Sequence, residues 1–390
     1  MNKKIYISTF GCQMNVRDSE FISGLFIKNG YKLVDLPEEA DIILFNTCAV
    51  RGHAEDRAVS AMGQLQHWHK NKIYGIVGCV AQALGDKLFR RLPSLNVVCG
   101  TGEIARIVEI VENAKDKKIL ALSNIDDPLP ELNPSYRESD NRAYVSIMRG
   151  CNNFCSYCIV PYVRGKERSR KVENIVGEVK DLIKKDIKNI TLLGQNVNSY
   201  NGIACLPARQ ASSALLAPPR NDEEFKPCDF VQLLRLINNI SGIGKISFMT
   251  SHPKDAGVEL FEAIRDLDHA VKHLHLPLQS GSDRILKLMK RGYTSGEYLE
   301  KINIARQIMP NVRLTTDIIV GFPGETEDDF KATFNMLKSI EFNFSYIFKY
   351  SPRSGTEASR YQDDVPREIK NKRHRILLDM QKEISIRKNK

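Results

Sequence analysis

Three cysteines, Cys151, Cys155 and Cys158, stand in the run Met148-Arg-Gly-Cys-Asn-Asn-Phe-Cys-Ser-Tyr-Cys158. This C-x3-C-x2-C spacing offers three thiolates to a four-iron cluster and withholds the fourth, whereas a closed site takes four cysteines. An iron without a protein ligand keeps a position for a small molecule, as a catalytic metal does. The plainer alternatives are a zinc knuckle, or three thiols that merely share a loop. No fourth Cys or His stands nearby in the sequence to complete a zinc tetrahedron, so the cluster reading leads.

A second set is dispersed: Cys12 in Thr9-Phe-Gly-Cys12, Cys48 in Asn46-Thr-Cys48 and Cys79 in Val77-Gly-Cys79. Each follows a short apolar run and precedes a helical pattern. In a parallel sheet the strand C-termini face one edge, so these thiols can converge there as another incomplete set of cluster ligands. Glycines at 11 and 78 would let the backbone approach an inorganic core. The competing explanation is that free cysteine is commonly buried, and strand ends are ordinary places for it. Cys99, in Val97-Val-Cys-Gly100, ends a fourth run and is expected to be a buried bystander. Cys205 and Cys228 are assigned to no metal site.

The elements that must position these residues are legible as alternating patterns. Apolar runs at Lys4–Thr9, Asp41–Asn46, Ile73–Gly78, Leu95–Val98 and Ile119–Leu122 alternate with amphipathic stretches such as Ser19–Lys28, Ala54–His69 and Glu103–Ala114. Such alternation predicts an α/β domain over 1–125 with a doubly wound parallel sheet. Residues 126–141, rich in Asp, Pro, Glu and Ser, read as a linker.

Six further strand candidates follow at Ala143–Met148, Asn189–Leu193, Lys245–Thr250, His273–Pro277, Arg313–Val320 and Asn343–Tyr350, most separated by helical patterns. Two helices are expected to open on capping boxes, Thr294-x-x-Glu297 and Thr326-x-x-Asp329. Six βα units over 142–360 predict a partial (βα)6 barrel with its chemistry on the loops after the strands, where the Cys151 loop stands. Residues 201–227 interrupt the pattern as an insertion in a βα loop. Residues 361–390 form a basic helical segment. Gly321-Phe-Pro-Gly324 reads as a turn, since no Lys or Ser/Thr follows in P-loop spacing.

Composition narrows the class. No run of about 18 apolar residues exists, so neither a transmembrane helix nor membrane association is expected. The N-terminus turns polar too early for a signal peptide. Nine cysteines without an export signal imply reduced thiols, metal chemistry and a cytoplasmic location. A formal net charge of +10 favours polyanionic partners such as nucleic acid. The run Arg164, Lys166, Arg168, Arg170, Lys171 just after the cluster loop is a candidate phosphate contact, set against an ordinary solvated face. A monomer is expected.

Taken together, Gly11-Cys-Gln-Met-Asn15 with Asp18-Ser-Glu20, Asn46-Thr-Cys-Ala-Val-Arg51, Gly78-Cys79 and Cys151-x3-Cys-Ser-Tyr-Cys-Ile-Val-Pro161 with Arg164-Gly165 resemble the radical S-adenosylmethionine (SAM) methylthiotransferases. Leu193-Gly-Gln-Asn-Val-Asn198, Thr250-Ser-His-Pro253, His275-Leu-Pro-Leu-Gln-Ser-Gly-Ser282 and Asp317-Ile-Ile-Val-Gly-Phe-Pro-Gly-Glu-Thr326 extend the resemblance over almost the whole chain. It implies two 4Fe-4S clusters, one binding SAM through Cys151, Cys155 and Cys158, the other auxiliary and held by Cys12, Cys48 and Cys79. It further implies methylthiolation of N6-dimethylallyladenosine in a tRNA anticodon loop, an electron donor, and a donor of sulfur or of an iron–sulfur cluster. The family's C-terminal TRAM β-barrel is expected to be absent, because no strand pattern remains for it.

Polar residues at the barrel's strand ends are the candidate SAM contacts: Gln195, Asn196, Ser251, His275, Gln279 and Asp317. For each, the competing role is a hydrogen-bonded core residue. His273 and His275 share a strand face, but with no carboxylate neighbour in sequence they are not expected to bind metal. Two other functions compete. One is the same chemistry on threonylcarbamoyl-adenosine in tRNA or on a ribosomal-protein aspartate. The other is a non-catalytic iron–sulfur or zinc protein that binds RNA.

Overall fold

The computed structural model describes residues 3–50, 52–68, 72–115, 117–125, 133–205 and 225–388. The chain divides into two compact units, one of residues 1–152 and 159–168, the other of residues 153–158 and 169–390. The division therefore runs past the expected boundaries at 125 and 142.

In the first unit the elements follow as β1 (Lys4–Phe10), α1 (Gln13–Lys28), β2 (Lys32–Leu33), β3 (Ile42–Thr47), α2 (Gly52–Trp68), β4 (Ile73–Gly78), α3 (Cys79–Leu84), α4 (Lys87–Arg91), β5 (Val97–Cys99), α5 (Ile107–Glu112) and β6 (Ile119–Ala121). The sheet is parallel throughout, in the order β2-β1-β3-β4-β5-β6. Strand β3 is buried at every position, as expected of a parallel strand covered on both faces. Ile22 and Phe26 of α1 pack on one face with Ile107, Ile110 and Val111 of α5. Ala58 and Met62 of α2 pack on the other with Val80 and Leu88.

This is the strand order of flavodoxin-like sheets, whose ligand crevice opens where the chain reverses direction of winding, between β1 and β3. The register pairs Phe10 with Thr47 and Thr47 with Gly78, so three strands end side by side. The short strand β2 was not anticipated; two residues carry no periodicity to read.

Residues 133–141, expected as linker, lie against α1. Arg137 Nη1 donates to Glu20 Oε2 at 2.8 Å, and both side chains are buried. The remainder of that stretch, 126–132, lies outside the described residues. Strands β7 (Arg142–Ser146) and β8 (Met148–Arg149) and the short helix α6 (Val160–Arg164) complete the unit, with β9 (Arg168–Ser169) at its end.

The second unit contains α7 (Val172–Lys184), β10 (Asn189–Leu193), β11 (Asn201–Cys205), β12 (Phe225–Asp229), α8 (Phe230–Asn238), β13 (Lys245–Met249), α9 (Val258–Asp266), β14 (His273–His275), α10 (Asp283–Leu288), α11 (Ser295–Ile308), β15 (Arg313–Val320), α12 (Glu327–Ile340), β16 (Phe344–Lys349) and α13 (Arg367–Lys388). Parallel ladders join β10 to β13 and β14 to β15 to β16. Both expected capping boxes form, and Asp229–Gln232 adds a third at α8. The edges of the expected 201–227 insertion are strands, since β11 and β12 pair antiparallel. Its middle, 206–224, lies outside the described residues.

Helix α13 is an integral part of this unit. Gln381 Nε2 donates to Phe342 O at 3.0 Å, and Arg373 Nη1 donates to Glu325 Oε2 at 2.7 Å. Glu325 and Gly324 stand in the Gly321–Gly324 turn region, where both glycines have positive φ (+68° and +79°). Among the described residues no helix is long and apolar enough to cross a membrane.

Burial pushes the Glu325 carboxyl up, and Arg373 pulls it back. Replacing Arg373 with Leu leaves that carboxyl buried without its cation, an expected loss of about 3–5 kcal/mol. Urea unfolding measures the loss, and adding Glu325→Gln should recover part of it.

Candidate functional sites at two strand-end edges

The first site stands at the β1/β3/β4 edge. Cys12 stands at the residue just before α1, Cys48 follows β3 with its N–H donating to Phe10 O at 2.9 Å, and Cys79 opens α3. An amide network fixes this edge: Asn15 Nδ2 donates to Asn46 Oδ1 (3.1 Å) and Thr47 O (3.2 Å), and Asn46 Nδ2 donates to Asn15 O (2.8 Å). Gly78 has φ +94°, and a Cβ there would stand 2.5 Å from Asn46 Oδ1, so the turn into Cys79 admits only glycine.

The thiols sense one another. A hydrogen bond from Cys48 lowers the Cys12 thiol to about 6 against the opposing effect of burial, with the Arg164 guanidinium and the α1 backbone N-terminus assisting. The same hydrogen bond and burial raise Cys48, and burial raises Cys79. Arg164 Nε donates to Cys79 Sγ at 3.3 Å, and its Nη2 donates to Asp18 Oδ2 at 2.8 Å.

Among the described residues, no three His, Cys, Asp or Glu side chains are spaced to hold a single metal ion. Three soft thiols at one edge, one of them bonded by a buried cation, instead suit an iron–sulfur core, whose thiolates bind separate irons and stand farther apart. Cys99 is buried and packs with Ile5, Leu44, Val77 and Val97, in a different apolar cluster from the one that contains Cys79.

The second site lies at strand ends of the second unit. Cys155 and Cys158 are carried by a tight loop in which Phe154 has φ +45° and Cys158 N–H donates to Cys155 O at 2.9 Å. Ser156 ties the loop down, its N–H donating to Met289 O (3.1 Å) and its Oγ to Leu288 O (2.8 Å). Arg291, buried, donates from Nη1 to Cys155 Sγ (3.2 Å) and Tyr157 Oη (3.3 Å), and from Nη2 to Pro277 O (3.2 Å).

Of the expected SAM contacts, Asn196 follows β10, Ser251 follows β13 and Gln279 follows β14. Asn196 Oδ1, Ser251 Oγ and Gln279 Oε1 are buried with no hydrogen-bond partner, as are both amide atoms of Asn198 and His252 Nε2. Unpaired buried polar atoms cost about 1–3 kcal/mol each, so this concentration at strand ends fits a polar ligand. Thr250 (φ +75°) and Gln279 (φ +67°) add backbone strain at the same place. Gln195 is half-buried beside Asn196, whose Nδ2 donates to Asp255 Oδ2 at 2.6 Å.

The structure corrects two expectations. His275 does have a carboxylate neighbour, Asp317 Oδ2 at 3.4 Å from Nε2, contributed by the adjacent strand β15. His273 Nε2 and His275 Nδ1 both bond Thr315 Oγ1, at 2.8 and 2.9 Å, so the pair brackets a hydroxyl. The basic run is not one face. Arg164 is buried on Asp18, and Arg170 is buried on Glu178 Oε2 at 2.7 Å; only Lys166 and Lys171 are exposed.

Residues 145–337 match the Radical SAM superfamily, and residues 4–100 match the uncharacterized protein family UPF0004. The tRNA-2-methylthio-N(6)-dimethylallyladenosine synthase of Clostridium novyi (strain NT) is 43% identical over all of this chain and 83% of its own length. Those of Thermoanaerobacter pseudethanolicus and Caldicellulosiruptor saccharolyticus are 44% and 42% identical, over all of this chain and 80% of theirs. The chain belongs to the tRNA-2-methylthio-N(6)-dimethylallyladenosine synthase family. A solved structure of the radical SAM methyltransferase TsrM from Kitasatospora setae shares the fold, with TM-score 0.61 and 10% identity over 92% of this chain and 74% of that one.

Within this family member, sequence reasoning missed Arg291, Asn198 and the positions of Arg164 and Asp18. Arg291 stands 136 residues from the cysteine it touches, and no local pattern signals such a contact. His252 stands in the Thr250–Pro253 run, where the sequence assigns it no role. Its Nδ1 accepts the Lys254 N–H at 3.2 Å, so the neutral ring carries its proton on the unpartnered Nε2.

Burial, then Arg291, Lys254 and Lys301, push the His252 imidazole down to about 2. Below about pH 6.5 the unfolded chain binds a proton there that the folded chain refuses, so stability falls as pH drops toward 2, by up to about 1.4 kcal/mol per pH unit. His252→Asn should reduce the stability lost between pH 7 and 5.5 by about 1 kcal/mol, measured by urea unfolding. Equal losses in both proteins would mean that the ring titrates normally in the fold.

Proposed function

We propose that this chain is a tRNA methylthiotransferase that adds a methylthio group to C2 of N6-dimethylallyladenosine beside the anticodon. The observation that carries the reading is identity above 40%, along the whole chain, to relatives with that activity. The chain uses SAM and an iron–sulfur cluster. The finer assignment is two clusters: Cys151, Cys155 and Cys158 hold the SAM-binding one, and Cys12, Cys48 and Cys79 the auxiliary one. The thiolate-directed cations Arg164 and Arg291 support it.

Bound at its cluster and reduced, SAM supplies a carbon radical able to take hydrogen from an unactivated C–H bond, chemistry beyond any side chain. The protein's part is to bind and orient. Asn196, Ser251 and Gln279 offer acceptors to the ammonium and hydroxyl donors of SAM, and the His252 Nε2–H offers a donor to its carboxylate. Gln195, His275 and Asp317 are the remaining SAM contacts in this reading. Arg291 keeps the Cys155 sulfur and Tyr157 fixed while the ligand enters. The base lies in a tRNA loop, so presenting it costs less than extraction from a duplex.

The reaction requires an electron donor and a source of sulfur or of an iron–sulfur cluster. We place it in the cytoplasm, where tRNA is found and thiols stay reduced; none of the described cysteines is in a disulfide.

Expression in a strain lacking its own synthase, followed by mass spectrometry of tRNA nucleosides, tests the reading. Methylthio-dimethylallyladenosine is the expected product. Only the dimethylallyl precursor, from a protein loaded with about eight irons, would count against this substrate. Anaerobic iron analysis should fall to about half when Cys151, Cys155 and Cys158 are all Ala, and to about half when Cys12, Cys48 and Cys79 are.

A further inference from the structure

Arg164 ends helix α6, whose Val163, with Ile159 just before the helix, packs into the same apolar cluster as Cys79 and Val80. Its guanidinium is divided between two partners. The Nη2 takes the Asp18 carboxylate at 2.8 Å, while the Nε turns to Cys79 Sγ at 3.3 Å. An arginine recruited only to balance a buried aspartate would present the two-pronged fork to that carboxylate. Here one prong is spent on sulfur, with the two side chains only 6% and 5% exposed.

The surrounding backbone enforces this placement. Gly165 has φ +81°, and a Cβ there would meet Ile125 O at 2.3 Å, so the chain can leave α6 this way only through glycine. Asp18 is carried in turn on α1, the helix that begins just after Cys12.

We propose that Arg164 is the positioning cation of the Cys12–Cys48–Cys79 set, fixing the Cys79 sulfur by a hydrogen bond and anchored by Asp18. The proposal rests on that set holding the auxiliary cluster. A fixed guanidinium bonded to one of the three sulfurs offsets the negative charge of the set in a poorly hydrated site and favours the cluster's more negative, reduced state. Hydrogen bonds to sulfur and local charge are the levers that set such potentials. Lysine would supply the charge without serving sulfur and carboxylate together. Arg164 is thus removed from the set of phosphate contacts and given to the chemistry of the N-terminal site.

The test uses the full chain with Cys151, Cys155 and Cys158 changed to Ala, so that any remaining cluster is the auxiliary one. Iron and sulfide per chain are counted after anaerobic reconstitution, and the midpoint potential is followed by electron paramagnetic resonance. Arg164→Gln should favour the oxidised form at least tenfold, a fall of about 59 mV for a one-electron couple. Asp18→Asn, which removes the neighbouring negative charge, should move the potential upward. Arg164→Lys should stay nearer the parent than Gln does.

Opposite shifts from the two sites are what a merely structural pair would not produce. Unchanged midpoints, or shifts of the same sign, would overturn the role given to Arg164. A parent that binds no iron would overturn the auxiliary-cluster reading as well, which separates the two failures. If Arg164→Gln does not fold, as judged by circular dichroism, Arg164→Lys and Asp18→Asn decide the matter.

Discussion

The core strands of each unit run parallel, and that single constraint decides where chemistry can occur. In the N-terminal sheet β1, β3 and β4 end in register, so Cys12, Cys48 and Cys79 leave the sheet at one edge although 67 residues separate the first from the last. An antiparallel sheet with the same sequence spacing would send alternate ends to opposite edges. The reversal of winding between β1 and β3 then opens a crevice at that edge. In the second unit the same rule brings Asn196, Ser251 and Gln279 to the ends of β10, β13 and β14.

Both edges carry unbalanced polar or charged groups, which an ordinary core avoids. Buried arginines point at sulfur in each, Arg164 at Cys79 and Arg291 at Cys155. Unpaired amide, hydroxyl and imidazole atoms collect at the second edge, together with positive φ at Thr250 and Gln279. Stability is sacrificed there, and the surrounding scaffold holds the strained residues in place. Polar groups are closed off in the Asn15–Asn46 network and in the three capping boxes.

The C-terminal helix illustrates how scaffold and site are separated. Helix α13 has a basic composition that reads as an appendage, yet its Arg373 and Gln381 are buried in contacts with Glu325 and Phe342 O. Glu325 in turn accepts the Gly321 N–H at 2.7 Å, fixing the turn after β15. The charge run of the helix thus contains both solvated lysines and structural arginines.

The amino-acid sequence alone determined most of the elements and nominated the candidate ligands. Strands such as Ile73–Gly78 and Asn189–Leu193, helices Ser295–Ile308 and Glu327–Ile340, and the two threonine caps follow from local periodicity and capping chemistry, which act within a few residues. Cysteine spacing and the edge rule for parallel strands identified six thiols. Only the tertiary structure decided their partners. That Arg164 is buried on Asp18 and not exposed to phosphate, that His275 meets Asp317, that Arg291 holds Cys155, and that Cys99 packs in a different apolar cluster from Cys79 all depend on residues distant in the chain. Such contacts arise from strand register and helix packing, and a charge or a thiol reads the same in sequence whether the fold leaves it in water or seals it against a partner.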